Sequence, residues 1–199
     1  MRLARAAEIL GEPPVPEGDW REEAGYVSGA ALRRRCDPAE LAAAIPGASV
    51  LPPGLVRFVL AEPAEVLGEV SPVPDQGWDD FPRTFANPGF VVRYARARAV
   101  AVGRWAAELG VPALPFEPAL LDAPQDRAVL RVLAELPGRR VSAAPGWGPW
   151  LVRLAAAYHD AFEHAPAVPW GDEPVRGVHT ARVRLAGAVQ EVLPGPDRI

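Results

Sequence analysis

The sequence predicts a mainly α-helical protein with a small α+β unit over residues 1–70, a linker over 71–86 and a helical bundle over 87–199. Three observations carry this division. The stretch NPGFVVRYARARAVAVGRWAAELG, Asn87 to Gly110, opens with an N-cap asparagine and a first-turn proline and closes on a glycine, the start and stop signals of a long helix. Three later stretches repeat apolar residues at helical spacing and are joined by short connections, the pattern of a bundle. Two short β-like runs, in contrast, fall inside the first 70 residues.

In chain order, residues 1–10 place Leu3, Ala6, Ala7 and Leu10 at helical spacing, and the prolines of Glu12–Asp19 end that helix. Ser28 to Arg35 reads as a helix ending in three arginines, which suit a solvated helix end better than a phosphate site. Asp37-Pro38 caps and starts a short helix running to Ile45. Ala48–Leu51 and Leu55–Leu60 flank Pro52-Pro53-Gly54 as a hairpin, and Pro63 to Val70 reads as one more helix. Ser71–Pro82 has linker composition, with Trp78 and Phe81 available to dock on a neighbouring unit. In the long helix, Val91, Tyr94, Ala95, Val102, Trp105 and Leu109 share one face, with Arg98 set inside that stripe. A guanidinium there must be paired, because an unpaired buried charge is costly. Further helices are expected over Gln125–Leu136, stopped by Pro137-Gly138, over Pro149–Ala165 and over Val175–Leu193.

Composition narrows the function classes. No apolar run approaches the ~20 residues of a membrane span and no signal peptide opens the chain, so a cytoplasmic protein is expected. The single cysteine, Cys36, excludes an internal disulfide and a cysteine-based zinc site. All 21 basic residues are arginine, as in a GC-rich coding sequence, so one arginine alone says little. The net charge of −4 argues against DNA or non-specific nucleic-acid binding. Residues 1–85 carry 8 arginines against 14 acids, and residues 86–199 carry 13 against 11, so the second half is the better partner for phosphate.

No catalytic constellation appears. His159 and His164 stand five apart, not the four that put two imidazoles on one metal, and read as solvent-facing polar residues. His179 has no evident partner, and Cys36 has no nearby base. No glycine-rich dinucleotide loop or nucleophile elbow is present, a Gly-Lys phosphate loop is impossible without lysine, and no cofactor is expected. The aromatics are more informative. Phe90 and Tyr94 stand one helical turn apart, as do Tyr158 and Phe162. Arg93, Arg96, Arg98 and Arg153 lie among them, a composition that suits stacking on planar bases as well as core packing.

At these residues the sequence resembles a known family. NPGFVVRYARAR (Asn87–Arg98) is similar to the stretch that opens the anticodon-binding part of arginyl-tRNA synthetases. RAVLRVLAELPGRRVSAA (Arg127–Ala144), YHDAFEHAPAVP (Tyr158–Pro169) and ARVRLAGAVQEVL (Ala181–Leu193) resemble later segments of that part in the same order. The resemblance implies the all-helical DALR anticodon-binding fold. GDWREEAGYVSGAALRR and LAAAIPGASVLPPGLVRFVL resemble a shortened form of the synthetase's N-terminal additional domain, which contacts the tRNA elbow in that family.

The departures are as informative. About 15 linker residues stand where the synthetase carries its catalytic domain, and its HIGH and KMSKS signatures are absent. Arg93 and Arg96 replace a motif glutamine and histidine, Ala165 replaces a cysteine, and the helix that names the fold is missing. The resemblance therefore implies a protein that is not an enzyme, like the stand-alone synthetase-related anticodon-binding proteins of GC-rich bacteria. Its partner would be a tRNA, that for arginine, with the chain acting as adaptor or carrier. The implied contacts are Asn87, Phe90, Arg93, Tyr94, Arg96, Arg98, Tyr158, Phe162 and Arg198, with the rings stacking on loop bases. The alternative is a protein–protein module, docking on a partner enzyme, that kept the fold and lost RNA binding. A small hydrolase or transferase finds no supporting site.

Overall fold

In a computed structural model the described residues are 2–196. They form α1 (Leu3–Leu10), β1 (Val15–Glu17), β2 (Ala24–Ser28), α2 (Ala30–Arg34), α3 (Pro38–Ala43), β3 (Ser49–Leu51) and β4 (Leu55–Leu60), followed by a 3-10 helix at Pro63–Gly68. The second half holds α4 (Pro88–Glu108), a short 3-10 turn at Pro118–Leu120, α5 (Pro124–Leu133), α6 (Leu136–Val141), α7 (Trp147–His164) and α8 (Gly177–Val192). Helices and one small antiparallel sheet thus make up the molecule. None of the described helices is long and apolar enough to cross a membrane.

The sheet runs β1-β2-β4-β3, every pair antiparallel. The expected hairpin is β3–β4, and Leu51 pairs with Leu55 across its turn. β1 and β2 were not legible as strands. β2 pairs with β4 so that Tyr26 opposes Phe58, and their rings stack at 5.5 Å with Trp20 edge-on to Tyr26 at 5.4 Å. Trp20, Tyr26 and Phe58 are each buried and pack together as one aromatic group of the core.

Helix signals set several boundaries correctly. Asp37 accepts from the Ala39 N–H at 2.9 Å, and Asn87 accepts from the Gly89 N–H at 2.9 Å, each as an N-cap before a proline. Ser28, expected to open a helix, instead ends β2 and turns its hydroxyl to the Ala30 N–H. Pro137 was expected to stop a helix, yet it starts α6, because a proline costs nothing in a first turn whose N–H has no helical partner. The helix expected over Pro63 to Val70 is a 3-10 helix at Pro63–Gly68.

The buried side chains form one contiguous cluster from Leu3 to Leu193. α4 packs on α7 and α8, and α5 packs on α7. Residues 71–86 hold neither helix nor strand, but they are fastened along their length. Arg140 donates to the carbonyls of Ser71 and Pro72, the Val73 N–H reaches the Val192 carbonyl, and Arg93 donates to the Trp78 carbonyl at 2.7 Å. Trp78 packs on the core, whereas Phe81, also expected to dock, is exposed. Across the sheet side, Arg131 of α5 donates to the carbonyls of Pro16 and Gly18.

Candidate nucleic-acid interface

The face that α4 buries differs from the one its sequence suggests. Gly89, Val91, Val92, Ala95, Ala99, Val102 and Ala106 are buried, whereas Trp105 and Leu109 are exposed. Small residues at the contact let α7 and α8 approach closely, and the larger side chains are displaced to its margin. Arg98 therefore lies on the edge of the apolar stripe, not in its middle. It shares that flank of α4 with Phe90, Tyr94 and Trp105, which follow at helical spacing.

Across from this flank, α7 presents His159, Phe162 and Glu163. The Phe90 and Tyr94 rings stack at 5.3 Å and 18°. The Arg98 guanidinium carbon lies 4.5 Å from the Tyr94 ring centroid and 4.5 Å from that of Phe162. Its Nη1 donates to Glu163 Oε1 at 3.0 Å and to His159 Nδ1 at 3.1 Å. The Arg98 side chain is only 14% exposed, and its partner carboxylate is half in solvent. Phe85, at the end of the preceding segment, is 61% exposed and touches the group edge-on, 6.0 Å from Phe90 and Tyr94 and 5.3 Å from His159. The result is a continuous run of ring and guanidinium planes across α4 and α7.

His159 is the residue the sequence placed wrongly. It is 7% exposed, not solvent-facing. Its Nε2 lies 3.0 Å from the Val91 carbonyl, which accepts only, and its Nδ1 faces a guanidinium, which donates only. These partners assign the neutral ring with the proton on Nε2. Burial holds its pKa below the ordinary value and Arg98 adds to that, against the Val91 carbonyl and Glu163. The imidazole so acts as a neutral strut between the helices.

The expected site residues divide into four groups. Phe90, Tyr94, Arg98 and Phe162 come together as described. Asn87, Arg93 and Arg96 are spent on structure: Asn87 caps α4 and donates to the Pro82 carbonyl, while Arg93 also pairs with Asp80 at 3.5 Å. Arg96 donates to the carbonyls of Gln190 and Leu193 at the end of α8, whose last C=O groups lack helical partners. Tyr158 requires a correction. It is 3% exposed and presents no ring face to a base, because it lies on the core side of α7. Arg198 lies outside the described residues. Sequence reasoning missed Phe85, which precedes the helix, and the buried His159. Only its position one residue after Tyr158 and three before Phe162 hinted at the latter.

Among the described residues no group of histidine, cysteine, aspartate and glutamate side chains could hold a metal ion. No family model matches the chain, and no solved structure matches it. The chain is similar to the arginine–tRNA ligase of Clavibacter sepedonicus, with 40% identity over 116 residues, 56% of this chain and 21% of that protein. It is similar also to the arginine–tRNA ligase of Paenarthrobacter aurescens (strain TC1), with 36% identity over 112 residues, 54% of this chain and 20% of that protein. The chain thus spans about a fifth of the length of the curated relatives it matches. Relatedness to arginyl-tRNA synthetases follows from these matches, over part of the chain.

Proposed function

We propose that the chain is a non-catalytic tRNA-binding protein that holds the loop of an arginine tRNA on the α4–α7 platform, through an anticodon-binding domain of the DALR type, as an adaptor or carrier. The observation that carries the reading is the stack itself. Phe90, Tyr94, Arg98 and Phe162 form a half-buried surface of π faces and one guanidinium, with exposed Phe85 at its edge. Such a surface suits unstacked single-stranded bases, each stacking contact contributing roughly 1–3 kcal/mol. Relatives that are arginine–tRNA ligases supply the RNA class. The short match to them, 20–21% of their length, agrees with a part that binds without activating an amino acid.

The platform is poor in free cations. Arg93 is bound to Trp78 and Asp80, Arg98 to Glu163, and the net charge is −4. Stacking therefore contributes more than phosphate contact, and affinity is modest with a shallow salt dependence. An electrophoretic shift of arginine tRNA by the intact chain at low salt, lost in the Phe90→Ala/Tyr94→Ala double variant, is the expected result. No shift by the folded wild-type chain at any concentration up to the millimolar range overturns the reading.

The same shortage of free cations favours a second reading, a protein–protein module. Exposed Phe81, Phe85, Trp105, Leu109 and Trp170 would then meet a partner enzyme. A tRNA shift that survives substitution of every platform ring would leave the platform to that role.

A further inference from the structure

Away from the platform, α1 and the 3-10 helix at Pro63–Gly68 form a groove of about 640 Å³ with the segment before the second 3-10 turn and with α8. Its apolar lining includes Ala64 and Leu67, both buried, and the half-buried Phe116 and Pro118. Volumes of roughly 300–1,000 Å³ with apolar walls and a few converging polar groups are those of small-ligand sites.

Four charged side chains open onto this groove: Arg2 and Arg184, and Glu62 and Glu69 at the two ends of the 3-10 helix. All four residues are exposed, so a guest in the groove can reach them. None of these side chains has a hydrogen-bond or ion-pair partner among the described residues. Elsewhere the arginines are mostly engaged by a carboxylate or a carbonyl, as Arg33, Arg57, Arg131 and Arg140 are. Glu65, which also lines the groove, is committed as well, because its Oε2 accepts the Leu3 N–H at 3.0 Å. Burial pushes the Glu69 carboxyl above its ordinary value, and the charge of Glu65 adds to the rise. Glu69 is therefore an anion that a cation in the groove would stabilise.

Charge and lining together define the guest. A simple cation meets the two glutamates but is repelled by the two arginines, and a simple anion meets the reverse. A molecule that carries both signs satisfies both sets, and the apolar lining adds room for a hydrocarbon part. We propose that this groove binds a small zwitterion of the amino-acid class, its ammonium on Glu69, its carboxylate on Arg184 and its side chain against Phe116 and Leu67. Such binding does not require tRNA, since neither Phe90, Tyr94 nor Arg98 lines the groove.

The test is a titration of the intact chain with phenylalanine, N-acetylphenylalanine and phenylalaninamide, followed through the methyl resonances of Ala64 and Leu67. The acetyl derivative lacks the ammonium and the amide lacks the carboxylate. Phenylalanine is expected to shift both sets of methyls saturably, and each derivative to bind about tenfold more weakly. Glu69→Gln weakens phenylalanine and phenylalaninamide about tenfold and leaves N-acetylphenylalanine unchanged. Arg184→Gln does the opposite, weakening phenylalanine and N-acetylphenylalanine and sparing the amide. Both positions are exposed and unpaired, so neither variant should change the melting temperature. No saturable shift, equal affinity for the three molecules, or unchanged affinity for phenylalanine in both variants overturns the proposal. Equal weakening of all three molecules in either variant overturns the assignment of the two charges. A chain that binds phenylalanine and fails to shift arginine tRNA keeps the groove and loses the platform reading.

Discussion

Replacing Arg98 by methionine keeps an aliphatic stem in place and deletes the guanidinium that joins α4 to α7. Two ring contacts at 4.5 Å are lost, each worth roughly 0.5–1 kcal/mol at the lower end of the cation–π range. The hydrogen bond to His159 contributes about 1 kcal/mol, and its loss leaves a buried Nδ1 without a donor. The ion pair with half-exposed Glu163 adds between about 0 and 1 kcal/mol after solvent screening. Together these give a loss of about 2–4 kcal/mol, a large share of the roughly 5–15 kcal/mol that holds a typical domain. Urea unfolding reads it as a lower midpoint at unchanged slope. A double-mutant cycle with Phe162→Leu should return a coupling of about 0.5 kcal/mol or more, because the two side chains touch. A loss under about 0.5 kcal/mol, or zero coupling, would refute the argument that the guanidinium ties the helices together.

Two further predictions follow from neighbouring geometry. The folded pKa of His159 lies below its unfolded value, so the unfolded chain takes up the proton first as pH falls. Stability from this group is complete above about pH 6.5 and declines as pH drops below it, and His159→Gln should flatten that decline in unfolding curves between pH 7 and 5. An unchanged slope in that variant contradicts the neutral tautomer, although His179, also lowered by burial, will keep part of the slope in both proteins. Gly89→Ala should destabilise by about 1–3 kcal/mol in thermal melts even though alanine is the better helix former. A Cβ at that position would overlap the Asp79 carbonyl oxygen and stand 2.9 Å from the Trp78 Cβ. A raised melting temperature would show that the 71–86 segment does not press on α4.

The chain's helices were largely legible because their ends carry local chemistry. Asn87-Pro88 and Asp37-Pro38 state a helix start within two residues, and the periodicity of α7 and α8 spans enough turns to be unambiguous. β1 and β2 were not, since a three-residue strand containing Pro16 and a strand of Ala, Gly, Tyr, Val and Ser gain their stability from pairing, not from local preference. The site was half legible. Spacing along one helix gives Phe90, Tyr94 and Arg98, but no local rule tells which flank of α4 would be displaced by the close packing of Ala95, Ala99 and Ala106. Tyr158 and Phe162 share a helical turn, yet four positions at 100° leave a 40° rotation between them, enough to put one in the core and the other at its edge. Arg93 and Arg96 looked free because their acceptors are main-chain carbonyls at Trp78, Gln190 and Leu193, which sequence composition does not advertise.

Ultraviolet crosslinking of arginine tRNA to the intact chain, mapped by peptide mass spectrometry, reads out whether bases lie on the proposed α4–α7 platform. Crosslinks are expected on Phe85, Phe90, Tyr94 and Phe162, joined to nucleotides of the anticodon loop. Binding without any crosslink in residues 85–98 or 159–163, or crosslinks confined to the sheet of residues 15–60, would contradict it.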